Sequence, residues 1–304
     1  MDKIMTAVFI SGLLALRPAA PATQTPVAPE KIRIMTTVFP LMEFARAVTG
    51  SKGEVDLLLP PGAEVHTWQP RASDIISLSR ADLLISVGAN LEPWLHGLLK
   101  SVANPGLKNL EASRGLELIE GKGEEPSEAA DPHIWLDFAN DEKIIDRISD
   151  ICTQLSPGDE GMFRENAAKY KQRLQALDKL YAKGLASCSQ RSFVCGGHAA
   201  FGYLARRYGL RQISLFGLSP DSEPTPRQLA GVIDFVKKNG IKIIFFETAV
   251  SSKLAKMIAS DVGGQILLLN PSHNLTKEQM VSGLTFLSIM EENLKNLKKG
   301  LGCD

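Results

Sequence analysis

Histidine and cysteine are both scarce in this chain, and its charges cancel. Four cysteines among 304 residues are too few for a disulfide scaffold. With 34 basic and 34 acidic side chains and a formal net charge of +0, no basic stripe is available to hold a phosphate backbone. Nucleic acid is therefore excluded as a partner, and nothing favours electrostatic attachment to a membrane. Beyond the N-terminus no segment approaches the ~18 consecutive apolar residues of a spanning helix, so no stable membrane insertion is expected. Residues 121–130 carry two glycines, one proline, no aromatic and no histidine. That composition describes a solvated excursion, because a metal-collecting tract would be histidine-rich.

The N-terminus reads as an export signal. Residues 4–16 form a mostly apolar run followed by Arg17-Pro18 and the small residues 19–22. Ala20-Pro21-Ala22 fits a cleavage site, and the run is too short to cross a bilayer. Cleavage there removes Lys3 and Arg17 from the 34 basic and Asp2 from the 34 acidic residues, leaving 32 and 33. The expected partition is a signal peptide over 1–22, a flexible Pro-rich segment over 23–30, an N-terminal α/β lobe over 31–155, a linking helix over 156–187 and a C-terminal α/β lobe over 188–304. The protein is expected to be periplasmic, soluble and monomeric.

Strand and helix signals alternate along both halves. Apolar runs at 32–38, 55–59, 83–87 and 115–119 are the expected strands of the first half, with helices at 41–49, 72–80 and 91–102. In the second half the strands fall at 193–195, 213–216, 243–246 and 266–269, and the helices at 199–208, 225–238, 251–262 and 276–298. Near-continuous apolar strands between amphipathic helices indicate parallel sheets covered on both faces. Thr225 with Gln228, and Thr276 with Gln279, have capping-box spacing. Ser156 and Pro157 open a helical pattern running to about residue 186, with Phe163, Ala167, Tyr170, Leu174, Leu177, Leu180 and Tyr181 on one stripe. The expected fold is α/β: two lobes, each a parallel sheet flanked by helices, joined by one long rigid helix.

Cys188 and Cys195 are the only close cysteine pair and could bridge a helix end to the next strand if their Cα atoms come within ~7 Å. Cys195 lies three residues before His198, but on a strand the two side chains need not converge. It is read as a buried structural cysteine.

Three of the five histidines stand at strand-to-helix exits. His66 closes Leu59-Pro60-Pro61-Gly62-Ala63-Glu64-Val65-His66. His133 lies in Asp131-Pro132-His133-Ile134-Trp135-Leu136-Asp137. His198 follows the strand 193–195 and the pair Gly196-Gly197, and opens a helix. Ligands of open α/β sheets bind outside the carboxyl ends of the strands. Three imidazoles converging there form a nitrogen-rich site of the kind that suits divalent transition metals.

These segments resemble the zinc/manganese ABC-transporter solute-binding proteins, the ZnuA/TroA-like (cluster A-I) family. The match begins at Leu58 through His66 and continues through Pro70-Arg71-Ala72-Ser73-Asp74, Ala81-Asp82-Leu83, Val87-Gly88 and Glu92-Pro93-Trp94-Leu95. Residues 131–137 resemble the family's second ligand segment and 197–210 its third, where zinc-type members carry histidine. The resemblance covers nearly all of 31–299. It implies His66, His133 and His198 as ligands of a metal held in the interlobe cleft, captured as cargo and delivered to the membrane permease of an ABC importer.

Two departures bear on the metal. The family's fourth segment commonly reads Asp-Pro, whereas this chain reads Leu269-Asn270-Pro271-Ser272-His273-Asn274, and the histidine-rich loop of many zinc-specific members is absent. His273 is the expected replacement ligand, with Asn270, Glu247 and water as alternatives. Glu247 is better read as a partner orienting an imidazole, Asp137 as structural, and His96 as a surface residue. Zn2+ is the expected cargo over Mn2+ or Fe2+, because imidazoles without a confirmed carboxylate favour it. A zinc hydrolase would use the same three histidines with an open position, but Glu64 and Glu247 are its only nearby base candidates and no H-E-x-x-H motif supports them. A metal-dependent adhesin is the other alternative, argued against by the missing lipobox cysteine and the short N-terminal spacer. The protein is expected not to be an enzyme.

Overall fold

The computed structural model describes residues 31–121, 129–218, 225–247 and 253–303. The expected signal peptide, the Pro-rich segment and most of the loop at 121–130 lie outside the described residues. Two four-stranded parallel sheets organise the rest. The first has the order β2-β1-β3-β4, built from β1 (Ile32–Thr36), β2 (Gly53–Leu57), β3 (Leu83–Ser86) and β4 (Lys108–Glu111). Its helices are α1 (Phe39–Thr49), α2 (Ala72–Ser79) and α3 (Leu95–Ser101), followed by α4 (Phe138–Leu155). The long α5 (Glu160–Gly184) then leads to the second half. There β5 (Ser192–Cys195), β6 (Arg211–Ser214), β7 (Ile243–Phe246) and β8 (Gln265–Leu268) form a sheet of order β6-β5-β7-β8. Helices α6 (Gly202–Arg207), α7 (Pro226–Lys238), α8 (Lys253–Asp261), α9 (Lys277–Val281) and α10 (Phe286–Leu301) alternate with and follow these strands.

The strands that the sequence announces most clearly are the buried central ones: all four residues of β3 are buried, as are Phe193, Val194 and Cys195. An edge strand gives a weaker signal. Strand β4 is mostly exposed, with Leu110 its buried residue, and so lacks the apolar run expected of a strand. The fourth strand lies at Lys108–Glu111, and the apolar 115–119 segment is a connection without a strand.

Helix boundaries shift where local chemistry opposes a helix. Helix α3 begins at Leu95 rather than residue 91, because a residue before proline avoids the helical region and Glu92 precedes Pro93. Helix α6 begins at Gly202, leaving His198 in a non-helical bend. The expected helix over 276–298 is two helices, broken where Gly283 takes φ +74°. Each has its own capping box, Thr276 with Gln279 and Thr285 with Ser288. The Thr225 box also forms, at the start of α7. Helix α4 has no counterpart in the expected element list; its Ile144, Ile145, Ile148 and Cys152 are buried.

Helix α5 spans 25 residues, about 37 Å at 1.5 Å each. Pro157–Asp159 forms a 3-10 turn ahead of it, in which the Ser156 hydroxyl donates to Asp159 rather than capping the helix. Phe163, Ala167, Tyr170, Leu174, Leu177 and Tyr181 are buried, whereas Leu180 is 55% exposed and does not belong to the stripe. The apolar core against which α5 packs is continuous from Ile34 and Phe44 in and beside the first sheet to Phe193 and Phe245 of the second. The long helix thus packs one face against the core.

Cys188, just after α5, is bonded to Cys303 beyond α10, 115 residues away in sequence. Cys195 is free and buried, so a Cys188–Cys195 bridge does not form. The disulfide fits an oxidising compartment.

Candidate metal centre

His66 sits in the irregular segment between β2 and α2. Its neighbour Val65 presents a carbonyl to the indole N–H of Trp94 at 3.0 Å, and Trp94 stacks edge-on with Trp68. Gly62 turns the chain with φ +76°, a conformation that costs glycine little. His133 precedes a 3-10 turn over Ile134–Leu136, where the fully buried Trp135 donates its indole N–H to the Pro271 carbonyl at 2.7 Å. His198 follows β5 and the Gly196-Gly197 pair.

Two carboxylates back the two most buried rings. Asp131 Oδ1 lies 2.9 Å from His133 Nδ1 and also accepts the His133 backbone N–H at 2.9 Å. Glu247 Oε1 accepts the His198 backbone N–H at 3.0 Å. Its Oε2 is 2.9 Å from His198 Nδ1 but off the hydrogen-bond line, leaving those two atoms without an aligned partner. Glycine makes both approaches possible. A Cβ on Gly202 would collide with Asp131 Oδ2, and one on Gly197 with Glu247 Oε1. Carboxylates at Nδ1 favour the tautomer with its proton there, turning each Nε2 lone pair inward.

The three imidazoles expected from sequence do converge. His66, His133 and His198 each offer a nitrogen within 4.8 Å of the others, and the Nε2 atoms of His133 and His198 are 3.1 Å apart. His66 Nε2 is buried with no hydrogen-bond partner. His273 is buried at the rim of this group, its ring centroid 6.1 Å from that of His198. Both its ring nitrogens lack partners, and its Nε2 is 3.7 Å from Glu64 Oε2. Buried nitrogens without partners are costly, and a transition metal is a species that satisfies several at once.

Asn270 is differently employed. Its carboxamide oxygen accepts the Ser272 backbone N–H at 2.8 Å, closing a turn in which Ser272 takes φ +59°. Its backbone is paired in both directions with the Asn293 carboxamide. Asp137 caps α4 through Ala139 and pairs with Arg207 at 2.7 Å. His96 is exposed on α3. A cavity of about 710 Å3 lined by Glu120, Asp131, Gly202, Arg206 and Gln212 touches none of the four clustered histidines.

Burial sets the protonation of the cluster. Burial, then the neighbouring rings, pulls His66 down to about 2 and His273 to about 4, and holds His133 well below the ordinary imidazole range. Burial would lower His198 too, but the close contact with the Glu247 carboxylate, with the charges of Glu64 and Asp131, outweighs it and raises this group. Burial lifts Asp131 to about 7 against the opposing His133 N–H. Three neutral donors therefore face one ring, His198, that holds a second proton more readily. Sequence reasoning anticipated Glu247 as an orienting group but not Asp131, whose signal was its position two residues before His133.

A family model described as the periplasmic component A of the zinc-uptake complex, ZnuA, matches residues 34–300. The chain belongs to this family. The zinc-binding lipoprotein AdcA of Streptococcus pneumoniae is 37% identical over 98% of this chain and 61% of its own length. The high-affinity zinc uptake system protein ZnuA of Bacillus subtilis is 36% identical over 90% of this chain and 88% of its own. The chain thus spans 61% of the length of that AdcA relative. The crystal structure of the Zn(II)-bound ZnuA-like domain of the pneumococcal AdcA superposes with a TM-score of 0.77 at 38% identity, covering 89% of this chain and 99% of that one. The two-sheet architecture with one long helix is that of the ZnuA family.

Proposed function

We propose that this protein is the extracytoplasmic receptor of a zinc importer. It captures Zn2+ with the imidazoles of His66, His133, His198 and His273 and delivers it to the membrane permease of an ABC transporter. The observation that carries the reading is the convergence of three imidazoles within 4.8 Å, two of them backed by buried carboxylates. Zinc suits this donor set because neutral imidazoles dominate it, whereas manganese favours oxygen donors. His273 supports a fourth nitrogen donor, since its unpartnered ring lies beside His198 while Asn270 spends its carboxamide on its own loop. Glu247 accepts the His198 backbone N–H on Oε1 and turns Oε2 toward the His198 ring, which disfavours it as the base of a hydrolase.

In this reading residues 31–155 and 188–304 are the lobes that meet around the metal, and 156–187 is the strut between them. Residues 1–22 direct the chain to the periplasm. Elemental analysis of the purified protein with a zinc–manganese competition titration tests the proposal. Bound zinc that equimolar manganese does not displace at neutral pH is the expected result; manganese winning that competition would overturn the zinc assignment.

A further inference from the structure

The segment Asn270–Leu275 hydrogen-bonds to several elements around the candidate metal centre. The Pro271 carbonyl receives the Trp135 indole, and the His273 carbonyl receives the Phe39 backbone N–H at 3.0 Å. Asn274, 8% exposed, reaches across to the loop that carries His66. Its Nδ2 donates to the carbonyls of Pro60 and Ala63, each at 2.8 Å. Gly62 N–H returns a bond to the Leu275 carbonyl at 2.9 Å. Among the described residues these three hydrogen bonds join 60–63 to 274–275, and Asn274 makes two of them.

We propose that Asn274 is a positioning residue for metal capture: its carboxamide latches the His66 loop to the His273 loop, so the ligands of the two lobes are held together. The inference rests on the metal-receptor reading above. His66 is the member of the three-imidazole group that is only partly buried, and its Nε2 has no hydrogen-bond partner among the described residues to fix the ring. Its placement comes instead from how its loop is tied. Trp94 holds Val65 from within the first lobe; Asn274 holds the loop from the second. Both amide hydrogens of Asn274 go to neutral carbonyls, a pattern that an aspartate or a leucine of the same size cannot reproduce. Because one apolar core runs continuously between the two sheets, release of the metal by wide separation of the lobes is disfavoured, and local release of this loop is the smaller change.

Stopped-flow zinc release to a chelator, measured on the full chain and on Asn274→Ala, tests the latch. Two neutral hydrogen bonds at about 1 kcal/mol each correspond to roughly 5–30-fold faster release. Cobalt(II) loaded in place of zinc should show weakened visible d–d bands in the variant. Amide exchange should rise at 60–67 while the strands of both sheets stay protected. Parental release rates with an unchanged cobalt spectrum would overturn the proposal. If Asn274→Ala does not fold, Asn274→Ser provides the same comparison with one donor kept, and parental rates there count equally against it. A parent chain that binds no zinc would instead defeat the metal reading itself.

Discussion

His133 and His198, carried by segments 65 residues apart, bring their Nε2 atoms to 3.1 Å, while the Nδ1 of each faces a buried carboxylate, Asp131 or Glu247. Two rings so close present one acidic and one basic nitrogen to each other when a proton lies between them. A metal held here would replace that proton and take both lone pairs. The carboxylates behind them fix ring orientation and strengthen the donors.

Alanine in place of His66, His133 or His198 should each weaken zinc binding by at least tenfold in isothermal titration. The apo fold should persist, because these side chains lie on loops at strand ends. Apo melting temperatures lower by more than ~5 °C for all three would mark them as structural histidines instead.

His273→Ala and Asn270→Ala should separate binding from folding. The first should lose zinc affinity with little change in apo stability. The second leaves the buried Ser272 N–H without its acceptor, at a cost of about 1–3 kcal/mol, with zinc affinity near parental. Loss of affinity in Asn270→Ala alone would reverse the ligand assignment, and no loss in either would favour water as the fourth ligand.

Acid should act on the site in two ways. His273 is depressed to about 4 in the folded protein against ~6.5 unfolded, so between those values the unfolded chain binds more protons and stability falls as pH falls. That contribution is present above about pH 6.5 and fully lost below about 4; it amounts to about 3 kcal/mol. His273→Ala should therefore flatten the apo stability profile in this window, measured by denaturant titration. His198 has the opposite sign, its stabilising proton being lost as pH rises through its raised value. Zinc must displace the proton that the charged His198 ring carries on Nε2, so affinity should weaken as the medium becomes more acidic. A pH-independent zinc affinity from 5 to 8 would contradict this.

Adding zinc should raise the melting temperature, because only the folded chain assembles donors from both lobes. At free zinc a thousandfold above the dissociation constant the gain is about 4 kcal/mol. An unchanged melting curve with excess zinc would contradict cross-lobe ligation.

Removing the Cys188–Cys303 bridge with a Cys188→Ser/Cys303→Ser double variant should cost about 2–5 kcal/mol of stability, since the bond closes a long loop. It should leave zinc affinity near parental, as both cysteines lie outside the imidazole cluster. Parental stability of the variant would show the bond to be energetically idle.

The sequence alone determined the elements whose chemistry is local. Buried central strands announced themselves as apolar runs, and the Thr225 and Thr276 boxes marked helix starts through side-chain-to-backbone bonds three residues apart. His66, His133 and His198 were legible because each sits in a distinctive motif at a strand exit. What pairs across the chain was decided only by the tertiary structure. Cys188 meets Cys303 rather than the nearer Cys195, since a strand carries Cys195 into the core while α10 returns Cys303 to the end of α5. Strand β4 carries no apolar run because, at the sheet edge, it buries only Leu110. Asp131 behind His133, the turn that occupies Asn270, and the reach of Asn274 to Pro60 and Ala63 all depend on directions in space that a polar loop sequence does not encode. Local hydrogen bonding and periodicity are properties of neighbouring residues; convergence of distant loops is a property of the packed core that holds them.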